Sequence, residues 1–185
     1  MKPIERQLKK HGKRAVLMAE LPADGYLDRC ASSVKALTGQ GFSGVYVSFQ
    51  RPSANLASIL RHKGIDLDQV RFVDAASSLG GEKKASEPSV IRISKDIDID
   101  ELERAIYLSL DAIKGQKRFI FVDSLTTITL HKPLSESMRF FDFLTHTVRK
   151  GGGGDLVLIL NVAKELAQKR FIADIAVMAD AVFEA

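Results

Sequence analysis

Phe119–Leu125 reads Phe-Ile-Phe-Val-Asp-Ser-Leu: four apolar residues without a break, then a carboxylate and a hydroxyl. A strand with one wet face alternates apolar and polar residues, whereas an unbroken apolar run is the mark of a strand covered on both faces. Leu156–Leu160 (Leu-Val-Leu-Ile-Leu) has the same character. Strands of this kind need helices on both sides of their sheet, which confines the chain to an α/β architecture with a mostly parallel sheet. The polar pair Asp123-Ser124 then falls at the carboxyl end of a central strand, the edge at which open α/β sheets bind ligands.

The rest of the chain keeps this rhythm. Arg14–Glu20 reads as a first strand and Leu21–Tyr26 as a loop. Asp24 is placed to cap a helix whose apolar face is Tyr26, Leu27, Cys30, Val34 and Leu37. Gly44–Phe49 is a second strand, followed by a helix with Leu56, Ile59 and Leu60 inward. Val70–Val73 is a third, ending at Asp74. Ala75–Pro88 is rich in Ser, Gly, Glu and Lys and reads as an exposed, mobile loop. Val90–Ile93 is a brief strand. Asp98 or Asp100 caps a helix carrying Leu102, Ile106, Leu110 and Ile113. After the Asp123 strand, Thr126–Lys132 reads as a connector and Pro133–Lys150 as a helix with Met138, Phe141, Leu144 and Val148 inward. Gly151–Gly154 breaks it, Asp155–Leu160 is a strand, Lys164–Met178 a helix, and Ala181–Phe183 a last strand. The expected fold is a three-layer α/β/α sandwich.

At 185 residues, 45% apolar and 27% charged, the chain suits one soluble domain. Residues 1–14 hold six of the 27 basic residues and one of the 23 acidic ones, so the remainder carries 21 basic against 22 acidic. Residues 1–13 are therefore expected to be a basic arm and 14–185 the domain. No second basic cluster and no interleaved aromatic accompany that arm in the sequence, so a solvated helix is favoured over a nucleic-acid contact. No apolar run is long enough to span a bilayer, and the first residues lack the apolar core of a signal peptide. The single cysteine, Cys30, rules out an internal disulfide, and the cytoplasm is the expected compartment. Cys30 falls on an apolar helix face and reads as core. Four scattered histidines offer no zinc spacing. Asp142 and His146, one helical turn apart, read as a side-chain contact, and His131 has no visible partner. Gly80-Gly81 lacks the Lys-Ser/Thr context of a phosphate loop.

The order of Val45-Tyr46-Val47-Ser48-Phe49, Lys63-Gly64-Ile65-Asp66, Phe72-Val73-Asp74 and Phe121-Val122-Asp123-Ser124-Leu125 resembles the RecA superfamily of P-loop ATPases, and within it the KaiC-like branch. The resemblance spans roughly residues 14–185. It implies a RecA-like core with Asp123 and Ser124 at the Walker B position. Two departures follow. The interval where the family carries Gly-x-x-x-x-Gly-Lys-Ser/Thr reads Leu21-Pro22-Ala23-Asp24-Gly25-Tyr26, with one glycine, no lysine and no hydroxyl residue of the Ser/Thr kind. Glu20, Asp24 and Asp28 put negative charge where a triphosphate needs positive. The acidic pair that activates water in KaiC-like enzymes is replaced by Gln50-Arg51, neither of which takes up a proton at neutral pH. The expectation is a scaffold without hydrolysis: no catalytic residue, no bound metal, and neither ATP nor Mg²⁺ as cofactor. Asp123 and Ser124 then read as structural, the carboxylate accepting from backbone N–H groups and the hydroxyl capping the next turn. A protein partner or self-association is the expected mode of action, with a nucleotide or small-anion sensor as the alternative and the basic arm as a third.

Overall fold

Every strand expected from the apolar runs forms, and all of them lie parallel in one sheet. The computed structural model describes residues 2–80, 88–94, 96–151, 153–165 and 169–185. Along the chain these form α1 (Pro3–His11), β1 (Arg14–Leu21), α2 (Tyr26–Gly39), β2 (Ser43–Ser48), α3 (Ser53–His62), a 3₁₀ turn at Leu67–Gln69, β3 (Val70–Asp74), α4 (Ala76–Gly80) and β4 (Val90–Arg92). Then come α5 (Ile99–Asp111), β5 (Lys117–Asp123), α6 (Leu125–His131), α7 (Leu134–Lys150), β6 (Asp155–Ala163), α8 (Lys169–Met178) and β7 (Ala181–Glu184). The sheet order is β4-β3-β2-β5-β6-β1-β7. β5 is central, hydrogen-bonded to β2 on one side and β6 on the other.

Because successive strand residues point to opposite faces, each apolar run feeds two cores. Phe119 and Phe121 of β5 join Leu17, Tyr46 and Ile159 beneath α1, α2 and α3. Ile120 and Val122 join Val16, Val45 and Leu158 beneath α5 to α8. This parity decides where the site lies. Asp123 follows Phe121 by two, so its carboxylate emerges on the α2 face.

Several local readings change. The connector after Ser124 is helix α6, capped by the Ser124 side chain, with Leu125, Thr126 and Ile128 buried. Its Thr and Leu residues gave no clear period over so short a span. Ala75–Pro88 does not begin as an exposed loop: Ala75, Ala76 and Ser77 are buried at the start of α4, and residues 81–87, with most of that expected loop, lie outside the described residues. Asp24 does not cap α2. Gly25, at φ 67°, holds that position without a side-chain bond, a left-handed conformation that costs a glycine little. Asp98 rather than Asp100 caps α5. β6 continues to Ala163, and α8 starts at Lys169.

Residues 1–13 are not an arm standing off the domain. α1 lies against α2, β1 and β7, with Ile4 1% and Leu8 8% exposed. The four-residue spacing of Ile4 and Leu8 puts both on one face, and the surrounding lysines masked this face in a count of charge alone. Ile4→Ala is expected to cost about 2–4 kcal/mol in urea unfolding. A detached arm would give no loss.

Candidate functional site at the carboxyl edge of the sheet

The direction of travel across the sheet switches between β2 and β5: from β2 the chain moves toward one edge, to β3 and β4, and from β5 toward the other, to β6. Crevices at such reversals, outside the carboxyl ends of strands, are the binding places of parallel sheets. Here a cleft of about 330 Å³ is lined by Ala23, Gly25 and Tyr26 from the end of the β1–α2 connection, Asp28 of α2, Gln50 and Arg51 after β2, and Asp123 of β5. Three segments singled out in the sequence thus meet in one place. The fold does not bring all their members to the cleft. Leu21 is buried at the end of β1. Pro22 and Glu20 line a separate groove toward β7, and Asp24 is exposed and off the lining. Asp28 is the acidic side chain at the mouth, and it is paired with Lys63 at 2.6 Å.

Asp123 is 1% exposed. Its Oδ2 accepts a 2.7 Å hydrogen bond from the Tyr46 hydroxyl, while its Oδ1 is buried with no partner. The expected backbone N–H donors do not reach it. Ser124 meets its expected role: its Oγ caps α6 by accepting from Thr127 N at 3.3 Å. Ser124 Oγ also accepts from Gln50 Nε2 at 3.1 Å, which ties Gln50 to the helix cap. The Asp123–Ser124 peptide is cis.

Above the carboxylate stands Tyr26, the first residue of α2. It is 9% exposed, and its hydroxyl, like Asp123 Oδ1, is buried without a partner of normal geometry. Cys30, one turn further along α2, is fully buried in the same cluster. These groups shift one another. Burial raises the Asp123 pKa, opposed by the Tyr46 and Tyr26 hydroxyls and the Arg51 charge. Burial, reinforced by the nearby Asp123 charge, holds Tyr26, Cys30 and Tyr46 well above their ordinary ranges. Asp74, at the end of β3, is also fully buried, yet accepts from Ser53 N, Ser77 N and Ser77 Oγ at 2.7–2.9 Å. Asp74 is a satisfied structural carboxylate, and Asp123 is not.

Tyr46 and Asn161 are not among the residues expected at the site from the sequence, and Tyr26 is expected there without its place over Asp123. Tyr46 could have been found from its strand parity, since it shares the Asp123 face. Asn161 is the lone amide of β6 and the one polar residue in it after Asp155. Its Nδ2 donates to Val122 O at 2.9 Å and its Oδ1 is buried without a partner. The other candidates do not join the site. Asp142 and His146 line a shallow groove with Asp100 and Arg139, where Arg139 pairs with Asp100 at 3.0 Å and no bond joins Asp142 to His146. His131 is exposed at the end of α6. Among the described residues no group of three His, Cys, Asp or Glu is arranged to hold a metal, and no helix is long and apolar enough to cross a membrane.

The raised Asp123 pKa has a sign for stability. The folded state holds this proton more tightly than the unfolded chain. Stability from this group is therefore full below the ordinary carboxylate range and is lost as pH rises through the folded-state value. Urea unfolding of Asp123→Asn against the parent chain is expected to show the variant gaining relative stability as pH rises from acid toward neutral. A constant difference would mean an unshifted carboxyl.

No protein-family profile matches the chain, and no curated protein matches it by sequence. Solved structures do match its fold. An uncharacterised protein of Pyrococcus horikoshii, crystallised in complex with an unknown peptide, is 16% identical with a TM-score of 0.68, covering 97% of this chain and 82% of its own. The flagellar accessory protein FlaH of Methanocaldococcus jannaschii is 14% identical with a TM-score of 0.59, covering 100% and 78%. A KaiC-like protein of Pyrococcus horikoshii is 17% identical with a TM-score of 0.55, covering 92% and 70%. Identity this low speaks to architecture alone, and the architecture is a RecA-like three-layer α/β sandwich with a seven-stranded parallel sheet.

Proposed function

We propose that this chain is a RecA/KaiC-like domain that does not hydrolyse nucleotide and acts as a protein-interaction or regulatory module. The observation that carries the reading is Tyr26. Only Pro22–Gly25 separates β1 from α2, and the side chain that follows turns inward over Asp123 and is buried there. A phosphate group near Asp123 needs that space. The lining does not suit a triphosphate in charge either: it carries one cation, Arg51, beside Asp123 and an Asp28 whose charge Lys63 already pairs. Like-charge placement of this kind costs affinity. Gln50 and Arg51 offer no base for a water molecule. Support for a protein partner is of a different kind: a protein of the same fold was crystallised with a peptide.

A sensor that binds nucleotide or a small anion without turnover is the second reading. Arg51 and the α2 N-terminus, which lacks a side-chain cap, favour it, because unpaired helical N–H groups attract anions. Phosphate release and thermal denaturation with ATP and Mg²⁺ separate these readings. The proposal expects no release above the blank, no nucleotide-dependent rise in melting temperature, and self-association or partner binding unchanged by nucleotide. A shift without turnover favours the sensor. Turnover abolished by Asp123→Asn overturns both.

A further inference from the structure

The edge of the sheet opposite the cleft is the more unusual surface. Basic residues that are far apart in the sequence collect there, because each lies where a helix hands over to a strand. Lys9 and Lys10 end α1, and Lys13 and Arg14 lead into β1. Lys114, Lys117 and Arg118 lead into and begin β5. Arg149 and Lys150 end α7 just before β6. The register fixes their spacing: Arg14 and Arg118 both pair with Leu156, one on each side of β6. They are thus two strand spacings apart, about 10 Å. The second basic cluster missing from the sequence is therefore present in the fold, and it is continuous with the basic end of α1.

Part of this charge has a structural explanation. Helix C-termini crowd this edge, and cations complement their exposed carbonyls. Arg14 donates to Val148 O at 2.8 Å, Lys117 to Gln40 O at 3.2 Å and Arg149 to Met178 O at 2.9 Å, with Arg149 also paired to Asp180 at 3.5 Å. Lys9, Lys10, Lys13, Lys114 and Lys150 are different. All five are exposed, and none makes a side-chain hydrogen bond or ion pair to a described residue. Capping leaves them over.

We propose that this amino edge is a docking face for the phosphate backbone of double-stranded nucleic acid. A duplex presents one charge per about 1.7 Å of axis, so the lysines that precede β1, β6 and β5 meet several phosphates at once, outnumbering Asp155, which begins β6 between them. Backbone contact is the mode that fits. The ring beside Lys117, Phe42, is 7% exposed and lies under that side chain, so it offers no platform for stacking single-stranded bases. A lipid surface fits less well. Among the described residues, the helix ends and connections that carry these lysines hold no exposed large apolar side chain to insert into a bilayer.

The test is fluorescence anisotropy of a labelled mixed-sequence DNA duplex with the full chain. Between about 50 and 200 mM salt, log affinity is expected to fall with log salt at a slope of about −3 to −4, corresponding to roughly four released counterions. Lys13→Glu/Lys114→Glu/Lys150→Glu is expected to lose at least about tenfold in affinity at low salt. Lys132→Glu/Arg139→Glu/Arg170→Glu carries the same charge change away from this edge and is expected to stay within about threefold of the parent. Should the first variant unfold by circular dichroism, Lys→Gln at the same three positions replaces it with the same ordering expected. Equal losses in both variants, no binding at low salt, or binding only to phosphatidylserine vesicles would overturn the proposal.

Discussion

Gly44→Ala is expected to abolish the stable fold, or to cost more than about 3 kcal/mol where the chain still folds. Gly44 lies in β2 opposite Phe119 of β5. A Cβ at this position would run into both the Phe119 ring and the Phe119 carbonyl oxygen. The ring is fully buried, and β2 is fixed between β3 and β5 by hydrogen bonds on both sides. Neither strand can move aside without breaking a ladder. The same register pairs Tyr46 with Phe121 and Ser48 with Asp123, so a displaced β2 also carries the Tyr46 hydroxyl away from Asp123. Adding Phe119→Ala to Gly44→Ala relieves the ring contact but not the carbonyl one, and only partial recovery is expected. Denaturant unfolding of the two variants beside the parent chain checks this. A Gly44→Ala chain as stable as its parent would mean that the strand pairing is wrong.

Tyr46→Phe is the second large effect, expected to cost about 1–3 kcal/mol at neutral pH. The ring contacts survive, with centroids 5.0 Å from Phe121 and 6.1 Å from Phe72, so the change isolates the hydroxyl. Its loss leaves Asp123 buried without a hydrogen bond of normal geometry. Removing one partner of a buried pair exposes the full desolvation cost of the other, whereas removing both is close to neutral. Asp123→Leu alone is therefore also expected to destabilise, by stranding the Tyr46 hydroxyl. The double variant Tyr46→Phe/Asp123→Leu is expected to recover most of either loss. Strict additivity in this cycle would show that the two groups do not interact.

The layer architecture was legible because fully buried strands announce themselves as unbroken apolar runs. Phe119–Val122 and Leu156–Leu160 placed the sheet, and strand parity then placed Asp123 on the α2 face. What escaped was set by tertiary packing. Ile4 and Leu8 are two apolar residues among lysines, and only their common face against α2 makes α1 part of the domain. Tyr26 reads as a helix-face apolar residue and as the end of the interval where a phosphate loop would lie, because nothing local says that its phenol closes over a carboxylate from a distant strand. The sequence reading gave the acidic side chains of Glu20–Asp28 the place near Asp123. The fold points Glu20 away, exposes Asp24 and pairs Asp28 with Lys63. The basic edge was invisible for a simpler reason: Lys13, Lys114 and Lys150 become neighbours only once the sheet has formed.

The central claim is that the Tyr26 side chain occupies the room beside Asp123 that a nucleotide's phosphates require. A crystal structure determined in the presence of millimolar ADP and Mg²⁺ tests it most directly. The expected result is a cleft without nucleotide and the Tyr26 hydroxyl still buried over Asp123. Phosphate density against the backbone of Gly25–Asp28, with Tyr26 swung outward, would contradict it.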